Sequence, residues 1–205
     1  TNSRIATINK ALEKFVLENK RMPCPASMIL SRSGDSTYGV EGGDPGACAA
    51  SGTYESTTSD LIYGAVPVRA LGLPSDMAND SYGEKFVYII DKGYTDSATL
   101  ATEDAVIVIN EYSGSTLQVV ESEAMFLIMS YGPNKSGSFG KNSTIQKAAS
   151  SDTDEIYNGI TIVDSTTATF DNILVKRTER SDSTFDDILF YQSREDFLIV
   201  LKRSF

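Results

Sequence analysis

The side chains in this chain that could do chemistry are few and unevenly placed. Cys24 and Cys48 stand 24 positions apart in Pro- and Gly-rich sequence. Acids cluster at Asp152-Thr153-Asp154-Glu155, and again at Asp182, Asp186 and Asp187. Ser143 and Lys147 lie within one helical turn of each other in sequence, and Gly34 to Gly39 and Gly132 to Gly137 each have the G-x-x-x-x-G spacing. There is no histidine and no tryptophan among the 205 residues.

The missing histidine excludes most of the common chemistries. Without an imidazole the chain forms no Ser-His-Asp or Cys-His pair, no His-ligated zinc site and no proximal haem ligand. Two cysteines cannot supply a four-thiolate zinc or iron-sulfur site. In an oxidising compartment they pair and close a loop of about 25 residues, for roughly 3.5 kcal/mol of loop-closure entropy; in a cytosolic protein they are two separate thiols. Their place in loop rather than in a helix or strand favours the Cys24–Cys48 disulfide.

The glycine loops lack the Lys and Ser/Thr of a phosphate loop, since Val40-Glu41 and Ser138-Phe139 follow them. The acidic clusters have the hard-oxygen chemistry that calcium takes, with Asp152, Asp154, Glu155, Asp182, Asp186 and Asp187 as candidate ligands. Neither cluster fits the EF-hand pattern, and solvated acidic loops are the alternative reading. A two-carboxylate glycan hydrolase or a Ser-Lys dyad needs no histidine, but nothing around Ser143 and Lys147 marks an exposed nucleophile. No catalytic residue is therefore assigned. With 28 acids against 18 bases the formal charge is −10, so the phosphate-neutralising term of nucleic-acid binding is missing.

The elements that must position these residues begin with a helix. Ile5, Ile8, Leu12, Phe15 and Val16 recur at spacings of 3, 4, 3 and 1, which puts them on one stripe over residues 3 to about 19. Asn19, Lys20 and Arg21 close it, and Pro23 and Pro25 stop its continuation. Residues 26 to 60 read as a long loop, and Gly64 to Pro74 as a turn or short helix on the core. From residue 85 the period becomes extended. Lys85 to Ile90, Ala105 to Glu111, Thr116 to Glu121 and Ala124 to Tyr131 read as strands of an antiparallel meander, with a turn at Tyr112-Ser113-Gly114-Ser115. Further strands are expected at Ile156 to Val163, Ala168 to Arg177 and Asp187 to Tyr191. A short helix from Ser193 to Lys202 follows, with Lys202-Arg203 at its C-terminal end. The expected fold is α+β over one domain, residues 1 to 205. The N-terminal amphipathic helix packs on an antiparallel sheet, and the chain closes on a short C-terminal helix.

Four segments in this order carry a resemblance. They are Asn19-Lys20-Arg21-Met22-Pro23-Cys24-Pro25-Ala26, Gly64 to Pro74, Ser130 to Asn134, and Asp186-Asp187-Ile188 with the helix after it. Together they resemble the type IV pilin-like and pseudopilin family, in the bacterial subset with an Arg-(Leu/Met)-Pro-Cys-Pro-Ala turn after the N-terminal helix. Val68 stands where that subset commonly has an aromatic, and Tyr131 where it has histidine.

The resemblance implies a subunit made with a leader, cleaved by a prepilin peptidase and methylated at its new N-terminus. An apolar first half of the helix anchors such a subunit in the inner membrane and later bundles with other pilin or pseudopilin subunits in the filament core. That half is expected before Thr1. The head then lies in the periplasm or outside the cell, as a minor subunit of a type IV pilus or type II secretion filament. A secreted α+β binding module or adhesin, with calcium in its acidic loops, is the competing expectation.

Overall fold

A computed structural model describes residues 1–113, 116–170, 172–177 and 185–202. Asp182, Arg203 and the Gly114-Ser115 half of the expected turn lie outside the described residues.

Helix α1 runs over Asn2–Asn19 and buries the expected stripe, Ile5, Ile8, Leu12, Phe15 and Val16. Removing such side chains from water stabilises by roughly 1.5–3 kcal/mol each. The helix ends where Lys20 turns left-handed (φ 57°) and its N–H donates to the Val16 carbonyl at 2.8 Å. At the other end, Arg4 Nη1 donates to the carbonyls of Asp76 (2.9 Å) and Asn79 (2.6 Å). Just past the C-terminal end, Met22 N–H donates to the Tyr94 carbonyl at 2.8 Å, so both ends of α1 are fixed to the rest of the chain.

Among the described residues nine strands follow: β1 Tyr54–Ser56, β2 Leu61–Ala65, β3 Val87–Asp91, β4 Ile107–Ser113, β5 Thr116–Ser130, β6 Thr161–Ile162, β7 Thr167–Thr169, β8 Ile173–Lys176 and β9 Ile188–Ser193. Helix α2, Thr153–Asn158, lies between β5 and β6, and α3, Arg194–Lys202, closes the series. The strand order is β6-β7-β1-β2-β3-β5-β4-β8, with β9 also paired to β5. The sheet is mixed, which corrects the antiparallel expectation: β1/β7 and β4/β8 pair in parallel.

Strand parity sorts the core into two sides. Tyr88, Ile90, Phe126 and Ile128 face α1, and Phe197 of α3 packs with them. Val87, Ile89, Leu127 and Met129 face away, toward Tyr63, Tyr131, Phe139, Phe170 and Leu174. Irregular segments cover part of that second side, contributing Ala26, Met28 and Phe139.

Three local expectations are corrected. The two segments expected at 116–121 and 124–131 form one strand, β5, which ends at Ser130, because Ser122-Glu123 continues the backbone and a register shift near Met125 absorbs the irregularity. The segment read as a strand from Ile156 to Val163 begins instead as helix α2, where the Asp152 carboxylate accepts from the N–H groups of Asp154 and Glu155. The segment from Ala168 to Arg177 divides into parts of β7 and β8. Ser193, the expected start of the C-terminal helix, caps α3, accepting from Asp196 N–H at 3.1 Å.

Candidate functional site

The structure divides the six acidic candidates. Asp152 caps α2, and both it and Asp154 pair with Arg177 just beyond β8. Glu155, one residue on, turns inward and meets Asp186 and Asp187 before β9; one carboxylate oxygen from each lies within 4.8 Å of the other two. All three residues are buried, with exposures of 4%, 8% and 7%. Asp182 lies outside the described residues.

The neighbouring backbone fits around these acids. Gly132 (φ 62°) comes so close to Asp186 that a Cβ on it would lie 2.3 Å from both the Asp186 carbonyl and its Oδ1. Two residues later Asn134 donates its backbone N–H to Asp186 Oδ2 and its Nδ2 to Glu155 Oε1, both at 2.8 Å. Asp186 N–H also donates to Glu155 Oε1, at 3.0 Å. Asn158, in α2, donates to Asp187 Oδ2 at 2.9 Å and holds β8 through the Val175 carbonyl and N–H. No hydrogen-bond donor among the described residues reaches Glu155 Oε2 or Asp187 Oδ1.

Burial pushes the Asp187 carboxyl well above the usual carboxylate range. The Asn158 bond opposes that rise, and the charges of Glu155, Asp186 and Asp152 add to it. Beside the acids, the hydroxyls of Tyr63 and Tyr131 share a buried hydrogen bond of 2.9 Å, and burial raises both phenols. A cleft of about 360 Å³ reaches Glu155 past Tyr131, Gln146 and Phe170. A second, of about 340 Å³, reaches Asp186 and Asp187 past Tyr82 and Lys176. Three clustered carboxyl groups can hold a hard cation or a shared proton.

The other singled-out residues take structural roles. Ser143 Oγ donates to the Ile145 carbonyl while Lys147 pairs with Glu84 at 2.6 Å, so the two do not face each other as a dyad. Cys24 and Cys48 form the disulfide, both buried, with Cα atoms 5.3 Å apart. Glu41 secures the turn before it, accepting from Arg21 at 2.6 and 3.0 Å and from Cys24 N–H at 2.8 Å. Arg21 also lies over the Phe15 ring at 5.2 Å, which ties the turn to α1.

Lys85 is the functional-looking residue that the sequence reading passed over. It is fully buried, and its Nζ donates to the carbonyls of Met28 (2.7 Å), Gly140 (2.9 Å) and Ser143 (2.8 Å). The signal was strand parity: Lys85 shares its face with Val87 and Ile89 and must point inward with them.

Among the described residues, no helix is long and apolar enough to cross a membrane. No family model matches the chain, and no curated protein and no solved structure matches it.

Proposed function

We propose that the chain is the head region of a pilin-like or pseudopilin subunit that works by self-assembly in a bacterial envelope, as a minor component, and carries no active site. The observation that supports this reading most is how the motif segments meet. Pro25-Ala26, after α1, lies against Gly64-Ala65, with Ala26 and Ala65 exchanging N–H···O bonds of 2.7 Å. Gly132 and Asn134 lie against Asp186 in the same way. Segments scattered over 170 positions of sequence thus pack as pairs, which is what a set of co-occurring motifs needs if it encodes one head fold.

The physical division of labour follows. Helix α1 covers its sheet with an apolar stripe and leaves Lys10, Lys14 and Glu18 in water. An apolar continuation before Thr1 would lie in lipid and then among the helices of neighbouring subunits. The Cys24–Cys48 bridge suits the oxidising periplasm or the cell surface.

The test is the coding sequence immediately upstream of Thr1. A short basic leader ending in Gly, then about 20 apolar residues with a Glu near their start, is the expected result. A signal peptide abutting Thr1, or a cytosolic sequence, would remove the reading.

A further inference from the structure

We propose that Glu155, Asp186 and Asp187 form a hard-cation site that takes calcium. The inference is independent of the filament reading, because it concerns the folded head alone.

The spacing fits an ion at the centre of the three. Oxygens on opposite sides of a calcium stand roughly 4.6–5.2 Å apart, since each bond is about 2.3–2.6 Å long. The three carboxylate oxygens lie within 4.8 Å of one another.

The hydrogen bonds indicate which oxygens are left for an ion. Glu155 Oε1 receives Asn134 Nδ2 and Asp186 N–H, and Asp187 Oδ2 receives Asn158 Nδ2. Each bond orients one oxygen of an acid, as outer partners do for metal ligands. Among the described residues Glu155 Oε2 and Asp187 Oδ1 meet no donor, although the residues are only 4% and 7% exposed. A buried carboxylate oxygen without a donor loses its hydration for nothing, and an ion supplies the missing partner. Arg177 lines the cleft beside Asp186 and Asp187, but its guanidinium is held by Asp154 and Asp152 over the Phe185 ring.

The donor chemistry selects the metal class. Carboxylate oxygens without nitrogen or sulfur suit calcium or magnesium rather than zinc. Calcium is favoured because the ligands come from a helix turn and an irregular segment 31 positions later, an arrangement without octahedral regularity, and because the clefts on either side admit water to complete six to eight ligands. A bound divalent ion lowers the local formal charge from −3 to −1.

The experiment uses the purified chain, stripped with EGTA and titrated with CaCl2 or, separately, MgCl2, by calorimetry and by thermal melting. One calcium per chain is expected, with a melting temperature that rises by several degrees at saturation and returns on adding EGTA. Glu155→Gln and Asp187→Asn should each weaken calcium at least about tenfold. Their metal-free melting temperatures should equal or exceed that of the parent, because each removes one like charge; this separates lost binding from lost folding. Asp104→Asn, in the acidic cleft beside Asp60 and Asp91, should leave binding unchanged. The proposal is overturned by any of three results. These are no heat and no melting shift with either ion at about 10 mM, above the range of weak extracellular calcium sites; parental calcium affinity in both Glu155→Gln and Asp187→Asn; or tighter binding of magnesium than of calcium.

Discussion

Gly64 sits so close to Ala26 that a Cβ on it would lie 2.6 Å from the Ala26 carbonyl oxygen. The contact seats the first turn after α1 on the edge of β2, beside the disulfide. Gly64→Ala should therefore cost about 2–4 kcal/mol, because backbone has to move rather than a flexible side chain. Gly83→Ala provides the contrast: its φ of 85° is strained for alanine, but nothing lies within 4 Å, so about 1 kcal/mol is expected. Urea midpoints of the two variants measure the difference, and equal losses would contradict the close-approach account.

The Cys24–Cys48 bridge closes a loop with a sequence separation of 24. The double variant Cys24→Ser, Cys48→Ser should be less stable by about 3.5 kcal/mol. Intact mass without reductant should be two hydrogens below the reduced value. Rapid thiol labelling of the native protein at both positions would show that the bridge does not form.

Lys85 ties two segments together through the carbonyls of Met28 in one and Gly140 and Ser143 in the other. Burial pulls its ammonium down to about 8, and the charges of Glu84 and Asp35 resist that fall, so it stays charged at neutral pH. Lys85→Met keeps the volume but strands three carbonyl oxygens. The gain from not burying a charge is smaller than that loss, and destabilisation of about 2–4 kcal/mol is expected by chemical denaturation. An unchanged midpoint would mean that the two segments hold together without it.

Asp91 gives the pH dependence. Burial pushes its carboxyl up to about 6; the Gly93 N–H bond opposes this, and the charges of Glu103 and Asp60 add to it. The unfolded value is about 3.9, so between pH 4 and 6 the folded chain holds a proton that the unfolded chain releases. Stability should fall as pH rises through that window, by up to ~3 kcal/mol from this group. Asp91→Asn retains an acceptor for Gly93 N–H and should flatten that part of the profile. Melting temperatures at a series of pH values for both proteins make the comparison, and parallel profiles would refute the assignment to Asp91.

Parts of the fold were legible because their information is local. The α1 stripe, the prolines after it and the Ser193 cap depend on residues a few positions apart, and the two cysteines, 24 positions apart, could only pair with each other. What could not be read depends on partners far away. Ile156, Ile160 and Ile162 alternate as in a strand, yet the Asp152 cap and the packing against β8 make a helix of residues 153–158. The parallel pairs β1/β7 and β4/β8 join segments that no period connects. The acidic candidates were identified as residue types, but the choice among them was not legible. Arg177 takes Asp152 and Asp154, and the Gly132 turn brings Asp186 to Glu155.

The central claim, an assembling envelope subunit, is tested most directly by the mature N-terminus of the native protein. Intact mass spectrometry of the chain extracted from the membrane fraction of its own cells reads it in one measurement. The account predicts an N-methylated terminus that opens an apolar stretch of about 20 residues ahead of Thr1. A mature chain beginning at or within a few residues of Thr1, released from the membrane and unmethylated, would contradict it.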